Sequence, residues 1–357
     1  MGCTSVPVDE TYRFVSILPM AHTYENTLGL LLPLMFGAQV YYLDRVPTPK
    51  LLVPAMQKIR PTVVLSVPLI IEKIYKSQVL PKFTSSKLMS KLYQFAPARK
   101  LFNRLAGKKL METFGGELKF FGIGGSKLDG TVEQFLREAK FPYAIGYGLT
   151  ETAPMAAGSN PSQTFLQGVG PVMEGVQIKI NNPDKSGQGE IWIKGPNVMK
   201  GYYKRPELTA ETFTEDGWFK TGDLGSFDKK NRLAIRGRIK TMILGASGEN
   251  IYPEEIESII NNFRFVNESL VVENSGKLVA MVHFNMEELE KQYQKLKDQA
   301  GNYKEKINDY IEEQKQELRD YVNARVNNFS KLQLVLVQHE PFEKTPTHKI
   351  KRFLYCK

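Results

Sequence analysis

The sequence predicts an α/β chain: a parallel sheet with flanking helices, then a small β-barrel-like subdomain, then an α+β C-terminal portion. Three observations predict it. Short β-rich runs alternate with helix-like stretches from Tyr12 to about Phe165. Short strands broken by Gly, Pro and Asp fill Gly168 to about Ile235, and a glycine-bearing loop after Arg238 opens a helix followed by two more strand candidates. The expected boundaries are 1–166, 167–238 and 239–357.

In the first portion, the runs Arg13–Leu18, Gln39–Leu43 and Pro61–Ser66 are apolar strands separated by helices. That pattern implies a largely parallel sheet covered on both faces. In the second, Val176–Ile180 and Glu190–Lys194 are short and punctuated, which suits a small antiparallel barrel or sheet. In the third, Pro253 stands at the first turn of a helix, where its missing N–H costs nothing, and Ser269–Glu273 and Leu278–Phe284 are strand candidates. Between 286 and 329, Leu289, Tyr293, Leu296, Ala300, Tyr303, Ile307, Tyr310, Leu318 and Tyr321 keep mainly three/four spacing, a helical stripe. Gly301-Asn302 is expected to break it into a hairpin, with the apolar seam packed on its own domain in preference to a partner-binding coiled coil.

At 357 residues, 42% hydrophobic and 24% charged, the chain is too apolar for disorder and long enough for two or three cores. Its most apolar stretch, Leu28–Leu43, contains Pro33 and Gln39 and is shorter than the ~20 residues a spanning helix needs. The first residues lack a basic-then-apolar leader pattern. The two cysteines, Cys3 and Cys356, support neither a disulfide framework nor a cysteine metal site, which suits a reducing compartment. A cytoplasmic location is the expectation. The net charge of +10 favours anionic partners. The basic residues are mostly dispersed, with a local excess at Lys344, Lys349, Lys351 and Arg352, so nucleic acid is not the expected partner, while peripheral membrane contact and homo-oligomerisation stay open.

Familiar entry points to chemistry are missing. No G-x-x-x-x-G-K-[ST] occurs, and Gly122-Ile-Gly-Gly-Ser-Lys127 has neither that spacing nor that of a dinucleotide fingerprint. Gly245-Ala-Ser-Gly248 is not a nucleophile elbow, and His22, His283, His339 and His348 are too scattered for a zinc set.

Four constellations remain. Phe120–Leu128 is an apolar strand running into Gly124 and Gly125, followed later by Phe141–Thr152, a second strand ending in glycine. In an open parallel sheet, ligands bind beyond the carboxyl ends of the strands, and glycines there let backbone amides approach a ring or phosphate. Tyr147 can stack on a base, Thr150 can bond a phosphate and Glu151 can hold Mg²⁺; equally, these are tight strand-to-helix turns with Thr150 as a cap. The second constellation, Asp216–Gly225, places Asp223 where a carboxylate can accept from a ribose diol, although alone the Asx-turn reading is stronger. The third, Ile235–Ile256, carries Arg238 in a basic turn and Lys240 where one domain gives way to the next. The fourth, Glu343–Arg352, holds Lys349 after a proline-bearing loop; by itself it is an ordinary basic tail.

In this order the four segments resemble the adenylate-forming superfamily of acyl-CoA synthetases, nonribosomal-peptide adenylation domains and luciferases, from about Leu18 to Arg352. Tyr147-Gly-Leu-Thr-Glu-Thr152, Gly189–Lys204, Trp218-Phe-Lys-Thr-Gly-Asp223 and Gly237-Arg-Ile-Lys240 carry the resemblance. Within the superfamily, Leu18–Glu25 and Ser247–Glu257 look most like bacterial long-chain fatty acid CoA ligases. The resemblance implies that Gly124, Gly125 and Ser126 line the adenine and acyl pocket, that Tyr147 packs on adenine beside Gly148, and that Thr150 and Glu151 serve the phosphates and Mg²⁺. It implies ribose binding by Asp223 with Arg238 nearby, a hinge at Lys240 for a mobile lid, adenylation by Lys349, and His22 at the acyl tunnel. ATP, Mg²⁺ and coenzyme A are the implied cofactor and co-substrates, and a fatty acid the implied substrate. Such enzymes carry a Ser/Thr/Gly-rich phosphate loop ahead of the segment matching Leu18. It is absent from this sequence, so the chain is expected to correspond to the C-terminal part of such an enzyme and to expose sheet edges. His348 stands where the family usually has glycine.

Overall fold

The computed structural model describes residues 8–45, 48–84, 86–245, 249–296, 303–345 and 349–356. The chain divides into two compact units, Met1–Ile235 and Arg236–Lys357.

The first unit is built on a six-stranded sheet of β1 (Arg13–Ser16), β2 (Gln39–Tyr42), β3 (Val63–Ser66), β4 (Phe120–Ile123), β5 (Tyr143–Tyr147) and β6 (Ala157–Gly158), in the order β2-β1-β3-β4-β5-β6. The first five are parallel; β6 returns antiparallel to β5. β3 is buried at all four positions, as a strand covered on both faces must be. Helices Pro49–Ile59, Pro68–Ile74, Ala96–Thr113 and Gly130–Glu138 make the crossovers. The first two start with Pro, and Asp129 caps the last, its carboxylate accepting from Thr131 N (2.8 Å) and Val132 N (2.9 Å). Val64, Phe121, Ile123, Val132 and Leu136 form the heart of the core, with Phe121 edge-on to Phe114 and Phe141. Because β3, β4 and β5 run the same way, their carboxyl ends emerge along one edge. At the other side β2 is an edge strand with Tyr41 and Tyr42 exposed, beside exposed Leu34 and Met35.

A second sheet comprises β7 (Gln177–Asn181), β8 (Gly189–Lys194), β9 (Phe219–Phe227) and β10 (Leu233–Arg238), in the order β10-β9-β8-β7; it belongs to this unit except for the last three residues of β10, which fall to the second. The expected barrel is not formed among the described residues. Four strands leave two free edges, and the sheet instead covers one face, where Ile191, Ile193, Phe219 and Leu233 pack with Ala156, Ala157 and Val169.

The second unit contains the short pair β11 (Ile243–Leu244) and β12 (Asn250–Ile251), and a three-stranded sheet of β13 (Val266–Asn274), β14 (Lys277–Phe284) and β15 (Leu334–Val337). β13 and β14 form an antiparallel hairpin, and β15 joins β14 in parallel. Helices Pro253–Asn261, Met286–Leu296 and Tyr303–Asn323 accompany the sheet. Leu289, Tyr293, Tyr310 and Leu318, four members of the sequence stripe, are buried against Ile256, Ile260 and Phe284 in this unit's own core. The proposed break at Gly301-Asn302 lies outside the described residues. Among the described residues no helix is long and apolar enough to cross a membrane.

Candidate functional site

The carboxyl end of β4 is built for close approach. Gly124 N donates to Ser66 O (3.1 Å), and a side chain at Gly124 would begin 3.4 Å from the ring of Tyr24. At Gly122 a Cβ would lie 2.7 Å from the Tyr24 hydroxyl. Tyr24 therefore lies across these glycines. Gly125 follows with φ +90°, a left-handed backbone that suits glycine, and Ser126 is exposed at the turn.

Beyond β5 the fit is tighter. A Cβ at Gly148 would sit 1.9 Å from Pro154 O, a separation no side chain tolerates without moving the backbone. The strand ends in the 3₁₀ turn Thr150–Thr152, in which Leu149 N donates to Thr152 Oγ1 (2.8 Å) and Asn197 Nδ2 donates to both Thr152 O and Met155 O (2.9 Å each). The capping hydroxyl is thus that of Thr152; Thr150 is exposed. Glu151 is held at both ends: its carbonyl accepts from Met199 N (2.8 Å) and its Oε1 accepts from the Tyr202 hydroxyl (2.9 Å). Burial, and then this carboxylate, push the Tyr202 phenol up from its ordinary value.

The two sheets of the first unit meet at a hydrogen bond. Tyr147, the last residue of β5, donates its hydroxyl to Asp223 Oδ2 at 2.9 Å across 76 residues of sequence. Asp223 is 4% exposed, and its backbone N donates to Thr221 Oγ1 (3.0 Å), whose hydroxyl is anchored on Ile191 O (2.7 Å). A buried carboxylate, an aromatic ring and two glycines without room for side chains, Gly122 and Gly148, thus collect at one end of the parallel sheet. Such a place can take a flat ring and a diol. A single carboxylate beside a phosphate site also suits Mg²⁺, which keeps most of its waters and uses one or two protein carboxylates. Glu151, fixed by Tyr202, fits that role; no cluster of three or more His, Cys, Asp or Glu able to hold a metal occurs among the described residues.

His22 is half-buried ahead of the turn that carries Tyr24, with its Nδ1 accepting from Tyr24 N (3.2 Å). Arg238, Lys240 and Lys349 belong to the second unit, and all three are exposed. Arg238 ends β10, its carbonyl accepting from Met242 N (3.0 Å), and Lys240 occupies the 3₁₀ turn Ile239–Thr241. Lys349 is bonded to Thr345 in both directions: Thr345 N donates to Lys349 O (2.8 Å) and Lys349 N donates to Thr345 Oγ1 (3.2 Å). His348 lies outside the described residues. Behind Lys349, Arg352 Nη1 donates to both oxygens of Glu257 (2.7 and 2.9 Å), and Val271 N donates to the same carboxylate (2.7 Å). Burial pushes Glu257 up to about 7 even though Arg352 and Val271 N pull it down.

Residues 2–203 match the family model of AMP-binding enzymes. The chain belongs to this family. The matched span of this AMP-binding chain includes Gly124, Tyr147 and Glu151. It is 32% identical over 269 residues to the long-chain-fatty-acid CoA ligase heimdall of Drosophila melanogaster, covering 69% of this chain and 39% of that protein. A palmitoyl-CoA ligase of Gibberella moniliformis is 30% identical over 74% of this chain and 43% of its own length. Fatty acyl-CoA synthetase A of Dictyostelium discoideum is 28% identical over 95% of this chain and 55% of its own length. The chain thus spans about half the length, or less, of the curated relatives it matches. Among solved structures, the o-succinylbenzoate CoA synthetase of Bacillus subtilis in complex with AMP superposes with a TM-score of 0.72 at 22% identity, covering 99% of this chain and 62% of that one. That likeness establishes a common fold.

Proposed function

We propose that this chain carries the nucleotide-binding and lid portions of an AMP-forming fatty acyl-CoA ligase. The observation that carries the reading is the Tyr147–Asp223 pair beside the glycine-ended strands, a recessed carboxylate and ring where an adenosine would lie. The names of the relatives supply the substrate class, a long-chain fatty acid.

In this reading ATP and a fatty acid enter first. Tyr147 packs on adenine beside Gly148, Asp223 accepts from the ribose hydroxyls with Arg238 nearby, and Thr150 bonds a phosphate oxygen. Mg²⁺, held by Glu151 when bound, would neutralise phosphate charge. The fatty carboxylate and the triphosphate repel one another, so a cation is needed as the carboxylate oxygen bonds to the α-phosphorus and the bond to pyrophosphate breaks. Lys349 is that cation. The resulting acyl adenylate is attacked by the thiol of coenzyme A, with AMP leaving. That step needs Lys349 withdrawn, which a rotation at Lys240 accomplishes. His22 faces the acyl chain, and a recessed cleft limits hydrolysis of the mixed anhydride.

Calorimetric titration of AMP into the chain, paired with fatty-acid-dependent pyrophosphate release, tests the reading. Asp223→Ala is expected to weaken AMP binding by about thirtyfold or more, since each hydrogen bond to a charged acceptor contributes about 1.5–3 kcal/mol. Lys349→Ala should leave AMP binding unchanged while abolishing adenylation, and should spare thioester formation from preformed acyl adenylate. AMP affinity indifferent to Asp223→Ala would reject the site, and equal loss of both half-reactions would reject the role of Lys349.

A further inference from the structure

Helices Lys87–Gln94 and Ala96–Thr113 concentrate charge that the rest of the chain disperses. They contain seven basic residues against the single acid Glu112. Their inner faces are committed, Met89, Tyr93, Phe102 and Leu110 packing in the core of the first unit. Their outer faces are not polar. Leu88, Leu92, Phe95, Leu101 and Leu105 are 69, 40, 63, 57 and 57% exposed, at i,i+4 spacing within each helix. Lys91, Lys100, Arg104, Lys108 and Lys109 stand exposed among them.

Beside this face lies an open groove of about 480 Å³ whose lining includes Lys100, Arg104, Arg137 and Lys140. Its one acid, Glu138, is engaged by Arg99 at 2.9 Å. Four cations therefore edge a groove whose only carboxylate is already neutralised.

We infer that this face docks on an anionic lipid bilayer. The leucines and Phe95 enter the acyl boundary while the groove cations hold phosphate headgroups. The chemistry selects this partner over two others. A nucleic acid would ask for aromatic platforms, and four of the five exposed apolar side chains are leucines. A second copy meeting the same face would set its five exposed cations against five more. The inference does not depend on the acyl-ligase reading, because it rests on the surface alone.

Co-sedimentation of the chain with vesicles tests it. Binding is expected to phosphatidylcholine vesicles doped with phosphatidylglycerol, weakening as salt rises, and not to phosphatidylcholine alone. Each cation near such a surface contributes about fivefold, so Lys100→Gln/Arg104→Gln should weaken binding about 25-fold. Leu101→Ser/Leu105→Ser should weaken it about tenfold at unchanged charge. Both pairs are exposed, and an unaltered far-ultraviolet circular dichroism spectrum confirms the fold. Lys229→Gln/Lys230→Gln, which removes the same charge from an exposed turn elsewhere, should change binding less than threefold. Equal loss in that control assigns the attraction to net charge and overturns the proposal, as does equal binding to uncharged vesicles. Oligonucleotide binding lost in Lys100→Gln/Arg104→Gln without vesicle binding overturns it in favour of nucleic acid. Self-association abolished by Leu101→Ser/Leu105→Ser without vesicle binding overturns it in favour of a second copy.

Discussion

In the first unit the pair that would meet base and ribose is recessed: Asp223 is 4% exposed, Tyr147 reaches it at 2.9 Å, and neighbouring Gly148 has no room for a methyl group. In the second unit Arg238, Lys240 and Lys349 are all exposed, and the anchor beside Lys349, Glu257 with Arg352, is largely withdrawn from solvent. In the proposed reading, one region fixes geometry at the point of contact and the other fixes the base of a reach. Binding a flat ring and a diol rewards precision at the contact itself. Delivering a cation to one step and withdrawing it for the next requires a rigid base and an exposed tip.

The sharpest way to break this contrast is to remove the anchor. Arg352→Ala leaves the Glu257 carboxylate buried without its cation, which costs about 3–5 kcal/mol. Amide hydrogen exchange should report that loss in β13–β15 and not in β3–β5, with AMP affinity intact. The double variant Arg352→Met/Glu257→Gln should recover most of it, because a neutral amide needs no cation and its oxygen still accepts from Val271 N. Equal loosening of β3–β5 would show that the two units do not divide the work.

A second test lies at the loop after β4. Glu72, on the helix following β3, accepts from Asp129 N at 3.0 Å, so it ties that helix to the turn beyond Gly124, Gly125 and Ser126. Burial pushes its carboxyl up to about 7; the Asp129 carboxylate adds to this, while the Asp129 N–H and Lys76 oppose it. The folded state therefore holds this proton more tightly than the unfolded chain does. The contribution is fully present below the ordinary carboxylate pKa and is lost as pH rises from about 4.5 to about 7. Over that window the chain should lose about 3 kcal/mol relative to Glu72→Gln, as read from paired denaturant titrations. A difference independent of pH would show that folding leaves the Glu72 pKa where it is in the unfolded chain.

The recessed region was partly legible in the sequence because its signals are local. Apolar runs ending in Gly124 and Gly148 mark strand ends, and parallel order follows from the intervening helices. What presses on those glycines was not legible. Tyr24 lies about a hundred positions from Gly124, and nothing around either residue encodes that contact. The Asn197 clamp on Thr152 and Met155 is also remote in sequence, 45 and 42 residues away. Alternation in β8 reports that one face is buried but carries no information about closure, so a barrel and an open sheet read alike. Thr150 and Thr152 illustrate the same limit at short range: both are capping types, and only the turn geometry selects Thr152.

The smallest effect separates two roles of one side chain. Tyr147→Phe keeps the ring that would stack on adenine and deletes the hydroxyl that donates to Asp223. If the phenol merely fills space, the variant should match the parent in both stability and AMP affinity. If it orients Asp223, stability should fall by about 1 kcal/mol and AMP affinity by about fivefold, the value of one hydrogen bond at a partly exposed site. Comparison with 2′-deoxy-AMP completes the test. An oriented carboxylate discriminates the missing ribose hydroxyl, and Tyr147→Phe should erode that discrimination while leaving the affinity for adenine alone unchanged. Loss of adenine affinity with discrimination preserved would instead place the role of Tyr147 in its ring and leave Asp223 to be held by its own strand.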